Sequence, residues 1–436
     1  PANEHVTFYV APDAEYEALR QGFNKRISRF PKIIALCKDT TGVVEAIQYA
    51  RTNQLPVTVK SGGHCMEGFS CLDGGMVINL SLLNQLRWID AQTISLQPAC
   101  RLKDIYDRLL PKGKYLPGGS CQTVAIGGLT LGGGYGLMSR QFGLTCDSLL
   151  EATMVTTDGR VVHTTTDPEL LWALKGGGNG NFGIVTELKF RVHPAPVAIQ
   201  SFRFRNRKVD LLKAKEILQQ WFERTASLPL SCFSAFIFNG QTTYILLTNT
   251  GKHTPEVQAF VEYFRTQSTQ VQQGGRLPLA RALQAYYGKA EPLIFKNASA
   301  GLYKSFSDIE SVIDSVFELI KKKPGMLYQV NTLGGNIAAT DKEASSAFPH
   351  RSFSFFSELQ AYWASEKARD GYLNQFESIQ QLFRKAGVQA QYRNYPDINF
   401  SHWAADYYGN NLERLLAVKR RYDPQNRMGG PQTLKS

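Results

Sequence analysis

A glycine-rich stretch constrains this chain most strongly. Residues 118–136 read GGSCQTVAIGGLTLGGGYG, with eight glycines in nineteen positions and one cysteine, Cys121. Glycine adopts positive φ readily and lets the backbone approach another group closely. Two further glycine turns, KSGGH at 60–64 and GGNGNFG at 177–183, suit the same purpose. The three segments predict loops that present bare backbone N–H groups to phosphates or ring carbonyls.

The third loop contains the spacing G-x-G-x-x-G at Gly178, Gly180 and Gly183. A dinucleotide-binding Rossmann turn requires a strand before this spacing and a helix after it. Here a helical segment, ELLWALK, precedes it and a strand-like segment, IVTELKF, follows. The reversed order argues against a Rossmann site, and the absence of G-K-[ST] from the first stretch argues against a P-loop.

Length and composition indicate a globular protein of more than one core. The 436 residues are 43% hydrophobic and 20% charged, which predicts two domains or one domain with a large insert. No apolar run approaches the ~18 residues of a membrane helix. The net charge of +12 is spread without a nucleic-acid-binding motif, so we expect neither a membrane nor a nucleic-acid partner. The sequence starts at Pro1, so removal of a methionine and removal of an export signal both stay open.

Seven cysteines are present, without any C-x-x-C pair, so we expect no zinc or other metal site. The odd number leaves at least one thiol outside intramolecular disulfides. Cys65 and Cys71 are near enough in sequence to pair, but the sequence leaves their state and the compartment open.

The pattern of predicted strands and helices changes near residue 196. Up to about residue 196, short strands alternate with helices such as the segment 39–54, and a hairpin turns at Asp158-Gly159. From about 200 to 395, five strand-like segments are mixed with four long amphipathic helices. This mixture predicts an α+β chain whose second part is an antiparallel sheet covered by helices on one face.

Four segments together resemble one protein family. They are VTVKSGGHCMEGFS (57–70), the stretch from Gly118 to Leu149, AFPHR (347–351) and YRNYPDINFSHWAADYYGNNLERLLAVKRRYDPQNRM (392–428). The chain resembles the berberine-bridge-enzyme-like FAD-linked oxidases of the vanillyl-alcohol-oxidase/p-cresol-methylhydroxylase superfamily. The resemblance implies a two-domain p-cresol-methylhydroxylase-type fold. Its FAD-binding domain would comprise residues 1–196 and 400–436, and residues 197–399 would form an inserted substrate-binding domain.

The resemblance also answers why a cysteine lies among the glycines. In bicovalent members of the family, a histidine and a cysteine each bond the flavin ring, and by position these are His64 and Cys121. Two tethers would raise the redox potential of the flavin. The other residues that the resemblance places around FAD are Ser61, Gly62, Gly63, Gly68, Gly118, Val124, Gly127, Gly128, Gly132, Gly133, Gly134, Gly136, Gly180, Asn181, Ile184, Tyr408 and Asn410.

For catalysis, the resemblance points to Tyr395 as the residue that takes the substrate's hydroxyl proton or orients the substrate. Tyrosine has a pKa near 10 and needs a cation to act as a base. If 391–395 is a strand, Arg393 lies on the same face and could be that cation. Glu358 and Gln360 match the family's substrate-facing strand only with a one-residue shift, and the usual lysine is missing. Met66 stands where many plant members have tyrosine.

The resemblance implies oxidation of a hydroxyl-bearing carbon to a carbonyl, with an oligosaccharide or other small molecule as substrate. Val124, three residues after Cys121, is small as in oxygen-reactive members, so we expect O2 to be reduced to H2O2. A tailoring oxidase of secondary metabolism and a dehydrogenase that does not use O2 are the alternatives. A non-catalytic flavin carrier and a basic binding protein are alternatives of another class. His64, Cys121 and Tyr395 argue against the carrier, and the lack of base-stacking motifs argues against the binding protein.

Overall fold

The computed structural model describes residues 4–436 and has an α+β architecture with three large β-sheets. The first sheet has the strand order β1-β2-β4-β3, in which β1 is antiparallel to β2 and the other pairs are parallel. Its strands and helices are β1 (Val6–Tyr9), α1 (Ala14–Arg20), β2 (Ile33–Cys37), α2 (Thr40–Thr52), β3 (Val57–Lys60) and β4 (Met76–Asn79). The predicted helix over 39–54 is therefore α2, and Asp39 caps it by accepting a hydrogen bond from the Gly42 N–H at 2.8 Å.

The second sheet is antiparallel, with the order β5-β6-β10-β8-β9, and β7 pairs with β11 in a separate ribbon. The predicted hairpin at Asp158-Gly159 is confirmed, because it joins β8 to β9. The elements of this part are β5 (Leu86–Trp88), β6 (Thr93–Leu96), α3 (Leu102–Leu109), β7 (Lys114–Tyr115), α4 (Ile126–Leu131), α5 (Ser139–Phe142), β8 (Leu149–Thr156), β9 (Val161–His163), α6 (Pro168–Leu174), β10 (Gly183–Arg191) and β11 (His193–Pro194).

The third sheet has eight strands, all antiparallel, in the order β15-β12-β14-β13-β18-β19-β17, with β16 paired to β12. Its elements are β12 (Ala198–Arg207), α7 (Leu211–Thr225), β13 (Cys232–Asn239), β14 (Thr242–Asn249), α8 (Pro255–Thr266), β15 (Gln270–Gln273), β16 (Leu277–Pro278), α9 (Leu279–Gln284), β17 (Phe295–Tyr303), α10 (Ile313–Lys321), β18 (Met326–Thr332), α11 (Thr340–Ser345), β19 (Phe355–Tyr362) and α12 (Arg369–Lys385). The helices α13 (Trp403–Tyr408) and α14 (Leu412–Tyr422) follow.

One face of the eight-stranded sheet is covered by α7, α8, α10 and α12, as the sequence predicts. Apolar side chains of these helices, including Trp221, Phe260 and Phe317, share one core with the sheet. Since successive strand residues point to opposite faces, the alternate residues of β18 and β19 face away from the helices. That second face is turned toward the glycine loops.

No helix within residues 4–436 combines the length and apolar character that crossing a membrane requires.

Candidate active site

A cavity of about 480 Å³ lies between the glycine loops and the open face of the eight-stranded sheet. Its walls come from segments far apart in sequence: the loops after β3 and before α4, the strands β17, β18 and β19, and residues 392–396. Among the residues singled out in the sequence, those that line it are Ser61, Gly62, Gly63, His64, Cys121, Val124, Gly127, Gly128, Gly136, Gly180, Glu358, Gln360, Arg393 and Tyr395.

The first glycine loop begins where β3 ends. Gly62 brings this loop against the second one, since a Cβ at Gly62 would lie 2.8 Å from the Cβ of Ala125. Gly63 has φ of 69°, a conformation that side chains disfavour. The backbone N–H groups of residues 62–65 donate to no acceptor within residues 4–436. This row of free donors in a cavity wall is suited to an anion.

His64 is fixed between an aromatic ring and the cysteine loop. Its imidazole stacks on Phe23 with ring centroids 4.2 Å apart, and its Nε2 lies 2.8 Å from Thr123 Oγ1. Burial, with a smaller contribution from Arg101, lowers the pKa of His64 to about 4. The ring is therefore neutral at pH 7, and its other nitrogen, Nδ1, has no hydrogen-bond partner in the described chain. A neutral imidazole with a free nitrogen is a competent nucleophile.

Cys121 is exposed in the cavity wall, two residues before Thr123. Although its surface is accessible, the surrounding protein raises the pKa of the thiol by desolvation, and Glu358 adds to this increase. The thiol therefore holds its proton at pH 7. Val124 lines the same wall, so the two loops bring His64, Cys121 and Val124 to one cavity.

The opposite wall is a polar patch on the eight-stranded sheet. We call it the amide patch: Asn297 of β17, Gln329 and Asn331 of β18, and Glu358 and Gln360 of β19. The sheet register places Glu358 beside Gln329 and Gln360 beside Asn297. Asn297 Nδ2 donates to Glu358 Oε2 at 2.9 Å, while Asn297 Oδ1 is buried without a partner. Burial raises the pKa of Glu358, against hydrogen bonds from Asn297, Asn331 and Gln360.

Tyr395 lies between the amide patch and the glycine loops. Its ring contacts Phe356 and Tyr392, with centroids 5.3 Å from each. Burial raises the pKa of Tyr395 well above 10, and Glu358 is the largest of the charged groups that raise it further. The phenol is therefore protonated at neutral pH.

The predicted strand over residues 391–395, which would place Arg393 on the same face as Tyr395, is wrong. Residues 391–395 form a turn rather than a strand, so the two side chains do not share a strand face. The Arg393 guanidinium lies over the rings of Phe69 and Tyr407, at 5.6 and 5.3 Å from their centroids. No cation is among the groups that shift the pKa of Tyr395.

Five predicted cofactor glycines do not line the cavity. Each of them permits a close contact within the protein. A Cβ at Gly132 would lie 2.0 Å from Asn394 Oδ1, and one at Gly134 would lie 2.3 Å from Thr145 Oγ1. The others are Gly68, facing Ile27, Gly118, facing Tyr106, and Gly133, facing Phe348. Glycine at these positions thus permits close packing, while a contact of these residues with FAD stays a prediction.

Four predicted residues of the later segments also lie outside the cavity wall. Asn181 is buried, and its Nδ2 donates to Gly177 O and Tyr408 Oη at 2.9 and 3.0 Å. Ile184 belongs to the core of the first sheet. Tyr408 is fully buried, and Asn410 is exposed. Asn181 and Tyr408 thus support the wall from behind.

Sequence reasoning missed Asn297, Gln329 and Asn331. The alternation of Gln329 and Asn331 with buried Tyr328 and Val330 was a usable signal for a polar face on β18. Cys65 also lines the cavity, and it is not bonded to Cys71: all seven cysteines are free.

The residues present fit FAD. The free N–H groups of residues 62–65 suit its phosphates, and the neutral His64 and the exposed Cys121 suit attachment to its ring. Arg393 supplies a second sign of an anionic ligand: it lines the cavity, its side chain is buried, and its Nε has no acceptor. A buried cation is stabilised by an anionic partner or by several polar acceptors.

Comparison with known proteins agrees with this fit. A family model described as "FAD binding domain" matches residues 31–165, and one described as "Berberine and berberine like" matches residues 391–432. An uncharacterised FAD-linked oxidoreductase of Bacillus subtilis, YgaK, is 29% identical over 426 residues, which cover 95% of this chain and 93% of that protein. The chitooligosaccharide oxidase of Gibberella zeae is 28% identical over 455 residues, with coverage of 95% and 89%.

The fold is also that of solved relatives. A structure of a chitooligosaccharide oxidase superimposes with a TM-score of 0.89 at 23% identity, covering 99% of this chain and 97% of that one. A Physcomitrella patens BBE-like 1 structure gives 0.86 at 24% identity, with coverage of 98% and 96%.

Fold and cavity thus define an FAD-linked oxidoreductase. Within that class, the chain contains an FAD-binding domain and a berberine-like domain, and it is similar to chitooligosaccharide oxidase and to BBE-like proteins.

Proposed function

We propose that the protein oxidises a hydroxyl-bearing carbon of a carbohydrate, preferably the anomeric carbon of an oligosaccharide, with O2 as the final acceptor. The observation that carries this proposal is the amide patch opposite the glycine loops. Its five side chains offer neutral amides and one carboxyl group, and Asn297 Oδ1 is buried without a donor. Arg393 is the only lysine or arginine of residues 4–436 in the cavity wall. Such a wall suits a neutral ligand with several hydroxyl donors.

We also propose that FAD is attached covalently through His64 and Cys121. The free Nδ1 of His64 and the cavity-facing thiol of Cys121 support this arrangement. Because the His64 pKa is about 4, the imidazole needs no deprotonation at neutral pH, whereas the thiol of Cys121 does.

Tyr395 and Glu358 divide the work of removing the hydroxyl proton. Since the phenol of Tyr395 is protonated at neutral pH, Tyr395 orients the hydroxyl and relays its proton, and the Glu358 carboxylate is the final acceptor. Burial raises the pKa of Glu358, and a carboxylate with a raised pKa is a stronger base. FAD held in this cavity would supply the hydride acceptor for the same carbon, and loss of the proton and the hydride would convert the alcohol to a carbonyl. Gln360 and Asn297 hold neighbouring hydroxyl groups.

Val124 in the cavity wall supports oxygen as the acceptor, giving H2O2 as the second product. A related dehydrogenase activity would use another acceptor, and it is separated by comparing turnover in air with turnover under nitrogen with an artificial acceptor.

The first test is a panel of reducing oligosaccharides, each paired with its alditol, assayed for peroxide and for anaerobic bleaching of the flavin. The alditol has the same hydroxyl groups but no anomeric carbon. Oxidation of the sugar and not the alditol supports the proposal. Oxidation of neither, with bleaching by aromatic alcohols, would contradict it.

Secondary-metabolite oxidation is a second candidate, because the amide patch is flanked by apolar side chains in the same cavity. These include Phe233, Leu246 and Met66. An alkaloid or polyketide alcohol would bury an apolar skeleton against them. Replacing Asn297 with alanine separates the candidates, since it would weaken a sugar far more than an apolar alcohol.

A further inference from the structure

Arg393 is a buried cation without a counter-ion. It is 6% exposed, and no carboxylate of residues 4–436 lies within 4.0 Å of its guanidinium. Nη2 donates to the carbonyl oxygen of Gln432 at 3.4 Å, the Tyr408 hydroxyl group is a second hydrogen-bonding partner, and Nε has no acceptor. Five N–H donors therefore share two partners, neither of which is a carboxylate.

Other buried cations of this chain are compensated. Arg351 pairs with Asp147 at 2.6 Å, and Lys419 pairs with Asp423 at 2.6 Å. Arg140 has no carboxylate either, but it donates to three carbonyl oxygens, those of Leu228, Pro229 and Cys232, at 3.0, 3.4 and 2.9 Å. Arg393 has no carboxylate and donates to only one carbonyl oxygen, that of Gln432. Burying an unpaired charge costs several kcal/mol, so the partner of Arg393 lies outside the chain.

The surroundings of Arg393 show where that partner sits. Aromatic rings of Phe69 and Tyr407 cover the guanidinium, and the side chain lines the cavity. Phe69 and Cys65 belong to the segment of the first glycine loop, whose N–H groups at 62–65 also lack acceptors. Arg393 and these amides thus line the same cavity, and Phe69 of the first loop segment contacts the guanidinium. Both favour negatively charged oxygens.

We propose that Arg393 binds the pyrophosphate of FAD, opposite the backbone amides of residues 62–65. Guanidinium groups bind phosphate oxygens in a bidentate way, which lysine does not reproduce. The proposal rests on FAD as the cofactor and not on the covalent tethers, the substrate or the proton relay. Arg393 is thus a cofactor-binding residue and not an activator of Tyr395.

Replacement of Arg393 should change the stability of the apo-protein and the affinity for FAD in opposite ways, which distinguishes phosphate binding from packing. Without FAD, the unpaired charge is unfavourable, and replacing it with an apolar side chain of similar size raises stability. With FAD, the same replacement removes a charge-assisted contact and weakens binding. A residue that only fills space would lower stability in both states when replaced.

The test uses the His64→Ala, Cys121→Ala variant, in which FAD can be removed, with Arg393→Met, Arg393→Lys or Arg140→Met added. Titration with FAD and with riboflavin, which lacks phosphates, is followed by flavin fluorescence, and the Tm of each apo-protein is measured. For Arg393→Met we expect FAD affinity to fall about 10- to 100-fold, riboflavin affinity to stay, and the apo Tm to rise. Arg393→Lys should restore part of the FAD affinity. Arg140→Met should lower the apo Tm without changing the preference for FAD over riboflavin.

Equal losses for FAD and riboflavin, or no loss for either, would overturn the proposal. So would a lower apo Tm for Arg393→Met with unchanged FAD affinity. If the untethered variant does not fold, ³¹P NMR of the loaded wild type and Arg393→Met replaces the titration. A shifted pyrophosphate resonance supports the contact, and two unchanged resonances refute it. Failure of sugar oxidation or of the tethers affects none of these readouts.

Discussion

Lys296 donates a hydrogen bond to Glu67 across 2.9 Å, although the two residues lie 229 positions apart in the chain. Lys296 belongs to β17, next to Asn297 of the amide patch, and Glu67 follows His64 by three residues. Both side chains are buried, and Asp397 accepts a second bond from Lys296 at 2.7 Å. The ion pair therefore fixes the distance between the wall with His64 and the wall with the amide patch.

Replacing Lys296 with methionine should lower the free energy of unfolding by about 3–5 kcal/mol, because Asp397 would remain buried without a cation and Glu67 would keep only its pair with Arg26. Chemical denaturation measures this change. The control is Lys215→Met, which removes a surface pair with Asp314 and should cost about 0–1 kcal/mol. Equal, small losses in both variants would show that the buried pair does not hold the walls together.

Glu358→Gln should slow turnover by about 10²-fold or more and change its pH dependence. The wild-type kcat/KM should fall as the pH drops through the pKa of Glu358, which burial raises above 4.5, because only the carboxylate accepts a proton. The glutamine variant has no such group and should lose this acid limb. The pH profile of kcat/KM for the glutamine variant tests this assignment. If kcat/KM still fell at low pH, another residue would be the group that titrates.

Tyr395→Phe should reduce the rate of anaerobic flavin reduction by about 10²- to 10⁴-fold, since the relay to Glu358 is broken. Stopped-flow absorbance measures this rate directly. Tyr362→Phe is the matched control: Tyr362 also lines the cavity, but its hydroxyl donates to Gln360. An unchanged rate in Tyr395→Phe would leave the ring as a packing group only.

The two tethers should be separable by mass. Denaturing mass spectrometry should find one FAD on wild type, on His64→Ala and on Cys121→Ala, and none on the double variant. Cys65→Ala, next to His64, should keep the wild-type mass. In His64→Ala, attachment should be faster at higher pH, because the pKa of the Cys121 thiol is raised and the thiolate is scarce at neutral pH. A bare polypeptide mass for the wild type would exclude both bonds.

Stability should fall on acidification from about pH 6.5 toward pH 4 because of His350. Burial lowers the pKa of His350 to about 4, and its Nε2 lies 3.0 Å from the carbonyl oxygen of Asp406. The unfolded chain binds a proton in this window and the folded chain does not, so stability rises with pH there, by up to about 3 kcal/mol. His350→Gln should reduce this dependence in denaturation series and leave the part that comes from His64, while the exposed His163→Gln should not change it.

The sequence predicts local features of this site better than long-range ones. The glycine turn before His64, the loop of Cys121 and the polar alternation of Glu358 and Gln360 are all encoded within a few neighbouring residues. These residues line one cavity. The identity of the facing strands depends on pairing across the sheet, which no local pattern carries.

The strand β17 shows why the rest escapes prediction. Its sequence FKNASAGLY is rich in small residues of low β-propensity, so it does not read as a strand. It is nevertheless buried throughout and contributes Lys296 and Asn297. The predicted placement of Arg393 is wrong for the opposite reason. The alternation that placed it beside Tyr395 assumed a strand, whereas the segment contains a turn.

The dispersed origin of the cavity walls has a consequence for biogenesis. Residues 62–65 emerge from the ribosome more than 300 residues before residues 392–396, which supply Arg393 and Tyr395. A nascent chain can therefore fold its first glycine loop while one wall of the cofactor site does not yet exist. FAD can therefore bind to its complete site only after residues 392–396 have folded. A covalent tether would mark chains in which all segments of the cavity wall are in place.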